Sequence, residues 1–503
     1  MPKLDVLALT ARTAALLLAP DGVKFRQARP VAWRLTGPGG GVRAEGLADT
    51  AVLFLDRLDP GSAYRVATPF GEIGFETPPC TGLMDLGMFG ASPHSRDNTD
   101  AFARAVAAVP EGGTLRVPPG RFVTRPVFLK PRMTLHLDPG AVIAAPGDRT
   151  GWPQLPARDG AGRVTGTWEG LPEASFAAPV TAIDCPGLKI TGRGTIDAGG
   201  DRGDWWTWPK ETRDGARRPR AVQIIHSDDV VLSGITIRNA PSWTLHPYRC
   251  RRLTAAALTI ANPPDSPNTD GFNPESCDNV TITGVDFSVG DDCIAIKAGK
   301  RAPDQVDHLA PTRGVRIAHC RMRRGHGAVV IGSEMSGGIS DVTVENCEFH
   351  GTDRGLRIKT RRGRGGHVRD IRLHGVEMDD VATPLAVNAF YFCDPDGRDD
   401  WVQDRAPAPV DATTPEICGI SFERVTARGV SVAAAAILGL PEAPVRGVAM
   451  RDFRVSYAPA ADPEPPLMAL GVAPVSGAGL IEENADVEGA PEDMNETEEA
   501  IRC

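Results

Sequence analysis

From Val230 onward one short pattern keeps returning: apolar-x-apolar-x-(Gly or Asn)-apolar-x-apolar. It reads "VVLSGITI" from Val230, "LTAAALTI" from Leu253, "VTITGVDF" from Val280, "VRIAHCRM" from Val315, "VTVENCEF" from Val342, "IRLHGVEM" from Ile371, "ISFERVTA" from Ile420 and "VAMRDFRV" from Val448, with some copies loose and a weaker one from Leu188. The start-to-start steps are 23, 27, 35, 27, 29, 49 and 28 residues. Runs this short cannot bury their own apolar face, so each copy must stack on the next, and a period near 27 with β-type runs predicts a solenoid. The expectation is an all-β chain whose main body, 81–460, is a right-handed parallel β-helix.

The stretch "SRDNTDAFARAVAAVPEGG" is the exception to the β texture. Asp97 or Asn98 can act as N-cap, apolar residues follow at helical spacing, and Pro-Glu-Gly-Gly stops the run. A helix over Thr99 to Val109 is predicted to close the open N-terminal end of the stack. Ahead of it, residues 1–80 hold short apolar runs separated by turn signals, with Tyr64 following a Pro-Gly turn. They read as a small β-sandwich. The apolar N-terminal run carries Asp5 and Arg12 and lacks a small-residue cleavage site, which reads as a strand rather than an export signal and points to the cytoplasm.

The formal charge of −9 is unevenly placed. Residues 481–503 hold nine acidic residues and one Arg, leaving the rest of the chain near −1. The segment 461–503 is therefore read as ending in an acidic, solvated tail, and the acidity does not argue against an anionic partner. Ten Cys are scattered without metal-site spacing. Cys320 and Cys347 share the template position of Val285, Val376 and Val425, which makes them small buried hydrophobes in an interior stack.

Stacking in register also sorts the polar residues. Counted from their own coil starts, Asp291 and Asp292 stand at +11 and +12, His326 at +11, Arg357 and Lys359 at +15 and +17, and Asp270 at +17. Four consecutive coils thus bring three carboxylates, an imidazole, a guanidinium and an ammonium into one sector. Strand alternation sends Arg357 and Lys359 outward while Leu356 and Ile358 point in. It would also send Asp292 inward beside Ile294 and Ile296, so either that carboxylate is buried or the backbone turns at Gly290. Singly, each residue has a bland reading: a solvated turn, a structural His, exposed surface charge. Their coincidence in phase favours a site. Facing carboxylates split their pKa values, so one can donate a proton while another activates water. Inverting glycoside hydrolysis separates such groups by roughly 6.5–9.5 Å.

At these residues the chain resembles glycoside hydrolase family 28, the polygalacturonases. The motifs are "NTD" at Asn268–Asp270, "GDD" at Gly290–Asp292, "GHG" at Gly325–Gly327 and "RIK" at Arg357–Lys359, over roughly Asp85 to Val455. The resemblance implies hydrolysis of α-1,4-galacturonosyl linkages with inversion, and neither metal nor cofactor. It makes Asp291 the general acid, Asp270 and Asp292 the groups activating water, His326 the support of the acid, and Arg357 and Lys359 the holders of substrate carboxylate. Asn268, Arg354 and Arg361 are further substrate-binding candidates. Fungal relatives pair a Cys next to the Asp pair with one close before "GHG"; Cys320, in its interior position, does not suit that role. The basic stretch "GTDRGLRIKTRRGRGG" and the leading fibronectin III-like module, with Tyr64 as its corner tyrosine, are similar to the bacterial exo-acting branch.

The insertion "GGDRGDWWTWPKETRDGARRPR" brings Trp205, Trp206 and Trp208, which either wall the sugar groove or pack as a loop on the barrel. The expected partner is an acidic polysaccharide or oligosaccharide, a galacturonan, with no nucleic acid and no membrane. The rival readings are a hydrolase of rhamnogalacturonan or substituted galacturonan, and a calcium-dependent pectate lyase using an Arg base. A non-catalytic binding solenoid has no need of three carboxylates.

Overall fold

The structure, a computed structural model, describes residues 3–494 except 21 and 209. Residues 4–76 form two antiparallel sheets. Leu4–Leu9, Ala14–Leu18 and Val52–Leu55 make one; Val42–Thr50, Arg26–Thr36, Ala63–Thr68 and Gly71–Glu76 make the other. Leu16, Leu18, Leu35, Leu53 and Val66 pack between them. Tyr64 is buried, and its hydroxyl accepts the Asp59 N–H at 2.8 Å.

The rest coils as a right-handed parallel β-helix. Its sequence template is visible in the geometry. Strand Asp278–Thr283 pairs in parallel with Thr312–Ala318, and that with Ile339–Glu345, so Val280, Val315 and Val342 superimpose. The fifth template position turns the chain between two sheets in the left-handed region, at φ 65° in Gly284 and 52° in Asn346. Glycine enters that region freely and Asn tolerates it, which is why the repeat prefers them there. After the corner the next two apolar side chains point inward again, giving the ladder Ile260, Phe287, Met322, Phe349 and Met378. All five are fully buried. Cys320 and Cys347 are fully buried in the adjoining row, as their template position predicts, and the nine described cysteines are free thiols. Cys503 lies outside the described residues.

Helix Thr99–Ala108 buries Ala101, Phe102, Ala105 and Val106 over the first coils. The Asp97 carboxylate accepts the Thr99 N–H at 2.9 Å, answering one of the orphan donors of the first turn. No described helix is long and apolar enough to cross a membrane.

The acidic segment departs from its sequence reading. Up to residue 494 it is the last coil rather than a solvated tail. Ala478–Glu483 pairs with Ala433–Leu438, and Ala485–Glu488 pairs with Val445–Tyr457. Leu480, Ile481, Ala485 and Val487 pack on the core while Glu482, Glu483 and Glu488 face water, so these apolar contacts hold a strongly acidic segment folded. Residues 495–503 lie outside the described range.

Candidate active site

The third sheet of the coil stacks Ile294–Ile296, Val329–Gly332, Arg354–Lys359 and Thr383–Asn388. Its outward face carries the site. Parallel register aligns Ala295 with Val330 and Arg357, and extends the row of Gly332 and Lys359 to Lys297 in the preceding coil. Bridges Leu245–Phe272 and Phe272–Ile294 carry the same register back to the coil that holds Asp270.

Strict alternation fails where it matters. Cys293 and Ile294 are consecutive and both fully buried in the core, because the chain bends over Gly290–Asp292 before the strand begins. The bend frees the Asp292 carboxylate to point outward while remaining buried. Gly290 sits so close to the Ser266 carbonyl that a Cβ there would lie 2.4 Å from the oxygen. A side chain at Gly327 would press on the Asp292 carboxylate at 3.2 Å. Gly327 thus keeps space beside the Asp292 carboxylate, and Gly290 lets the bend lie close against the backbone of the neighbouring coil.

One oxygen from each of Asp270, Asp291 and Asp292 lies within 4.8 Å of the others. Asp292 receives Lys359 Nζ at 2.7 Å, with Arg357 Nη1 at 3.5 Å. Asp291 faces His326 Nδ1 at 3.3 Å. Asp270 accepts the Asn273 side-chain amide at 2.8 Å and, among the described residues, has no cation in direct contact. The Asp291 side chain is 22% exposed and His326 56%, whereas Asp292 is 2% exposed, so the pair Asp291–His326 forms the open lip and the other two carboxylates its floor.

These contacts separate the protonation states. Burial, and then the Asp291 charge, push Asp270 up to about 8. Burial would raise Asp291 as well, but the hydrogen bond from His326 and the charges of His326, Lys359 and Lys297 outweigh it and hold that carboxyl at about 2. His326 rises to about 9 through its hydrogen bond to Asp291. At neutral pH Asp270 therefore keeps its proton while Asp291 is ionised. Three convergent carboxylates could also hold a divalent cation. Here Lys359 and His326 already pair with Asp292 and Asp291.

Several pocket groups escaped the sequence reading: Lys297, Glu334, Trp243, Tyr391 and Asp394 line the same space as the carboxylates. Lys297 donates to Glu334 Oε2 at 2.6 Å and the Gly332 carbonyl at 3.0 Å, and stands 5.1 Å from the Trp243 ring centre. Alternation after Ile294 and Ile296 was the available signal for Lys297. Tyr391 and Asp394 fall in the long step after Ile371, where the repeat template says nothing.

Other expected ligands are engaged elsewhere. Arg354 donates to the carbonyls of Pro465 and Pro466, and Arg361 to Asp394 and Asp396, so both tie loops down instead of facing substrate. Asn268 lines the pocket, with its side-chain oxygen accepting from Arg218 at 2.6 Å. Trp205 and Trp206 do not wall the groove. Trp205 stacks on Trp208 at 5.6 Å, buried with Trp152 and Phe176, and Trp206 donates to the Ala240 carbonyl. Apolar area decides this: packed together these rings cover one another and fix the loop.

Comparison with known proteins bears on the family and the fold. The family model described as Glycosyl hydrolases family 28 matches residues 167–464. A probable polygalacturonase of Vitis vinifera is 32% identical over 383 residues, 75% of this chain and 74% of its own. An endo-polygalacturonase of Pectobacterium parmentieri is 30% identical over 305 residues, 58% of this chain and 72% of its own. Among solved structures, the family 28 exopolygalacturonase of Yersinia enterocolitica superimposes with a TM-score of 0.68 at 19% identity, over 97% of this chain and 99% of that one. The exopolygalacturonase of Thermotoga maritima gives 0.63 at 24%, over 81% and 92%. At those identities the two structures speak for the shared fold. On the family match and the Vitis vinifera relative together, this chain belongs to glycosyl hydrolase family 28 and is a glycoside hydrolase.

Proposed function

We propose that this enzyme hydrolyses α-1,4-galacturonosyl linkages of polygalacturonate or oligogalacturonides, with inversion and from chain ends. The observation that carries the reading is the cluster of three carboxylates, lipped by His326 and flanked by Arg357 and Lys359. The names of the relatives above support the substrate class. Arg357 is the cation with most to offer a uronate carboxylate, since its Nη2 meets the Met468 sulfur and its Nη1 lies 3.5 Å from Asp292, whereas Lys359 is held by Asp292 at 2.7 Å.

The resting protons suggest how acid and base are prepared. A glycosidic oxygen entering from the groove meets Asp291 first. Covering Asp291 excludes water and brings an anionic sugar beside it, both of which favour its neutral form. The Asp270 proton then passes across the cluster to Asp291, with no change in net charge. Asp291 now protonates the leaving oxygen, and the freshly ionised Asp270, with Asp292 beside it, takes a proton from the attacking water. Turnover itself returns the resting state: Asp270 protonated, Asp291 ionised against His326.

The carboxylates lie closer together than the roughly 6.5–9.5 Å that the inverting geometry led us to expect. Inversion is favoured instead by Lys359, which holds Asp292 at 2.7 Å and so hinders its attack on the sugar, leaving water as the nucleophile. Cleavage from chain ends is favoured by walls from outside the repeat, where Glu169, Lys210, Tyr391 and Asp394 close the pocket.

Asp291→Asn is expected to lower turnover on polygalacturonate by about 10²–10⁴-fold, the usual weight of a general acid. An aryl galacturonide with a good leaving group should restore much of that loss in Asp291→Asn but not in Asp270→Asn. Equal recovery in both would exchange or dissolve the roles, and a retained anomer in early-time NMR spectra would defeat inversion. The rival reading, calcium-dependent elimination, has only the 4.8 Å spacing of the carboxylates on its side and the family membership against it. It requires activity to vanish with a chelator and products to absorb in the ultraviolet; hydrolysis predicts neither.

A further inference from the structure

Lys300 Nζ and Arg364 Nη2 each stand 2.5 Å from the Asp394 carboxylate, and Arg361 Nε 2.9 Å from it. Arg364 is 1% exposed and Arg361 8%. These cations come from two different coils: Lys300 follows strand Ile294–Ile296, and Arg361 and Arg364 follow Arg354–Lys359. Asp394 comes from elsewhere, in the insertion that stretches one repeat step to 49 residues. Burial would raise its carboxyl, but Arg364 and Lys300 outweigh burial and hold it at about 2. Three convergent cations on a solenoid groove are the chemistry that recognises a carboxylate on a polyanion. Here a carboxylate of the chain itself has taken the place.

We propose that Asp394 is a specificity-determining residue: it stands in for the carboxylate of a further galacturonate unit, and so latches the insertion in place as the end wall of the pocket. This rests on the reading of the site as a chain-end galacturonan hydrolase. Tyr391 and Cys393, carried by the same insertion, face the pocket next to Lys359, whose Nζ is 5.4 Å from the Tyr391 ring centre. The rest of the insertion is pinned from behind. The Gln403 amide donates to the carbonyls of Phe390 and Gly397 at 2.8 and 2.7 Å, and Arg362 donates to the Asp404 carbonyl at 2.6 Å. Asp394 is the point at which this anchoring meets three cations of the groove at once. Releasing it exposes a cationic subsite and frees the wall, and both changes admit a longer chain.

The test compares the first products released from polygalacturonate by the wild-type enzyme, Asp394→Asn and Lys300→Met, with folding followed by circular dichroism and thermal melting. Wild type is expected to release one small product from the outset. Asp394→Asn is expected to raise the share of larger oligomers among first products about tenfold, the size of effect carried by one lost charge-assisted contact. Lys300→Met, which leaves Arg361 and Arg364 on Asp394, should move in the same direction by less. If wild type releases small products and both folded variants do the same, the latch is overturned and the chain-end reading stands. If wild type gives an oligomer ladder from the start, the chain-end reading fails and takes the latch with it. Should Asp394→Asn not fold, Lys300→Met decides between these outcomes.

Discussion

Asp270 and Asp291 are chemically identical side chains about one hydrogen-bonding partner apart, and that difference sets the pH behaviour of the site. Asp291 has an imidazolium beside it; Asp270 has an amide and a closed pocket. The free enzyme should lose activity as pH rises through about 8, where Asp270 gives up its proton, with His326 following near 9. A pH profile of kcat/KM whose alkaline limb lies below 7 would contradict this assignment. The same shift has a stability consequence. Asp270 holds its proton more tightly folded than unfolded, so its contribution is full below its ordinary value of 3.8 and is lost as pH rises toward about 8. At pH 7 part of that penalty is present, and an amide does not incur it. Asp270→Asn is therefore expected to abolish turnover while raising the melting temperature by about 1–3 °C. The sign for His326 follows the same rule: its contribution is whole below 6.5 and lost as pH passes about 9. Half of that ring is in solvent, so its effect on stability is small.

Each coil contributes one apolar rung, and the rungs interlock along the axis. Phe349 lies between Met322 and Met378 with no exposure at all. Phe349→Ala leaves a cavity in a stack that cannot collapse without shifting paired strands, and should cost about 3–5 kcal/mol in chemical denaturation. Activity of the fraction still folded should be unchanged, because the row faces away from the carboxylates. Loss of activity without loss of stability would mean that the coils are coupled differently. This element-level order was legible in the sequence. Val280, Gly284, Val285 and Phe287 occupy the template positions that predict strand, corner, core and core. The bend at Gly290–Asp292 was only half legible, because two consecutive buried residues, Cys293 and Ile294, break the alternation on which such reading depends.

The small β-sandwich is fixed against the side of the coil rather than strung from it. Leu17, Val52 and Phe54 meet Ala256, and a Cβ at Gly284 would lie 2.3 Å from a Val52 methyl. Glu348 accepts the Phe25 and Arg26 N–H groups at 3.1 and 2.9 Å, and Thr13 hydrogen-bonds Thr191 at 2.8 Å. Glu348→Ala should weaken this docking by about 2 kcal/mol. Calorimetry is the check: an early transition for residues 4–76 should separate from that of the coil, with turnover retained. A single unaltered transition would show that the apolar patch alone sets the coupling.

Local chemistry dictated the repeat, the capping helix, the buried cysteine row and the sector that holds Asp270, Asp291, Asp292, His326, Arg357 and Lys359. Each of these follows from spacing along one chain, since side-chain direction in stacked strands is set by period and register. Only the tertiary structure decided that Asp270 carries the proton, that Arg354 and Arg361 tie down loops, that Trp205 is core, and that Asp394 faces the groove. Those outcomes depend on burial and on which distant charge comes within reach, quantities that no interval between residues encodes.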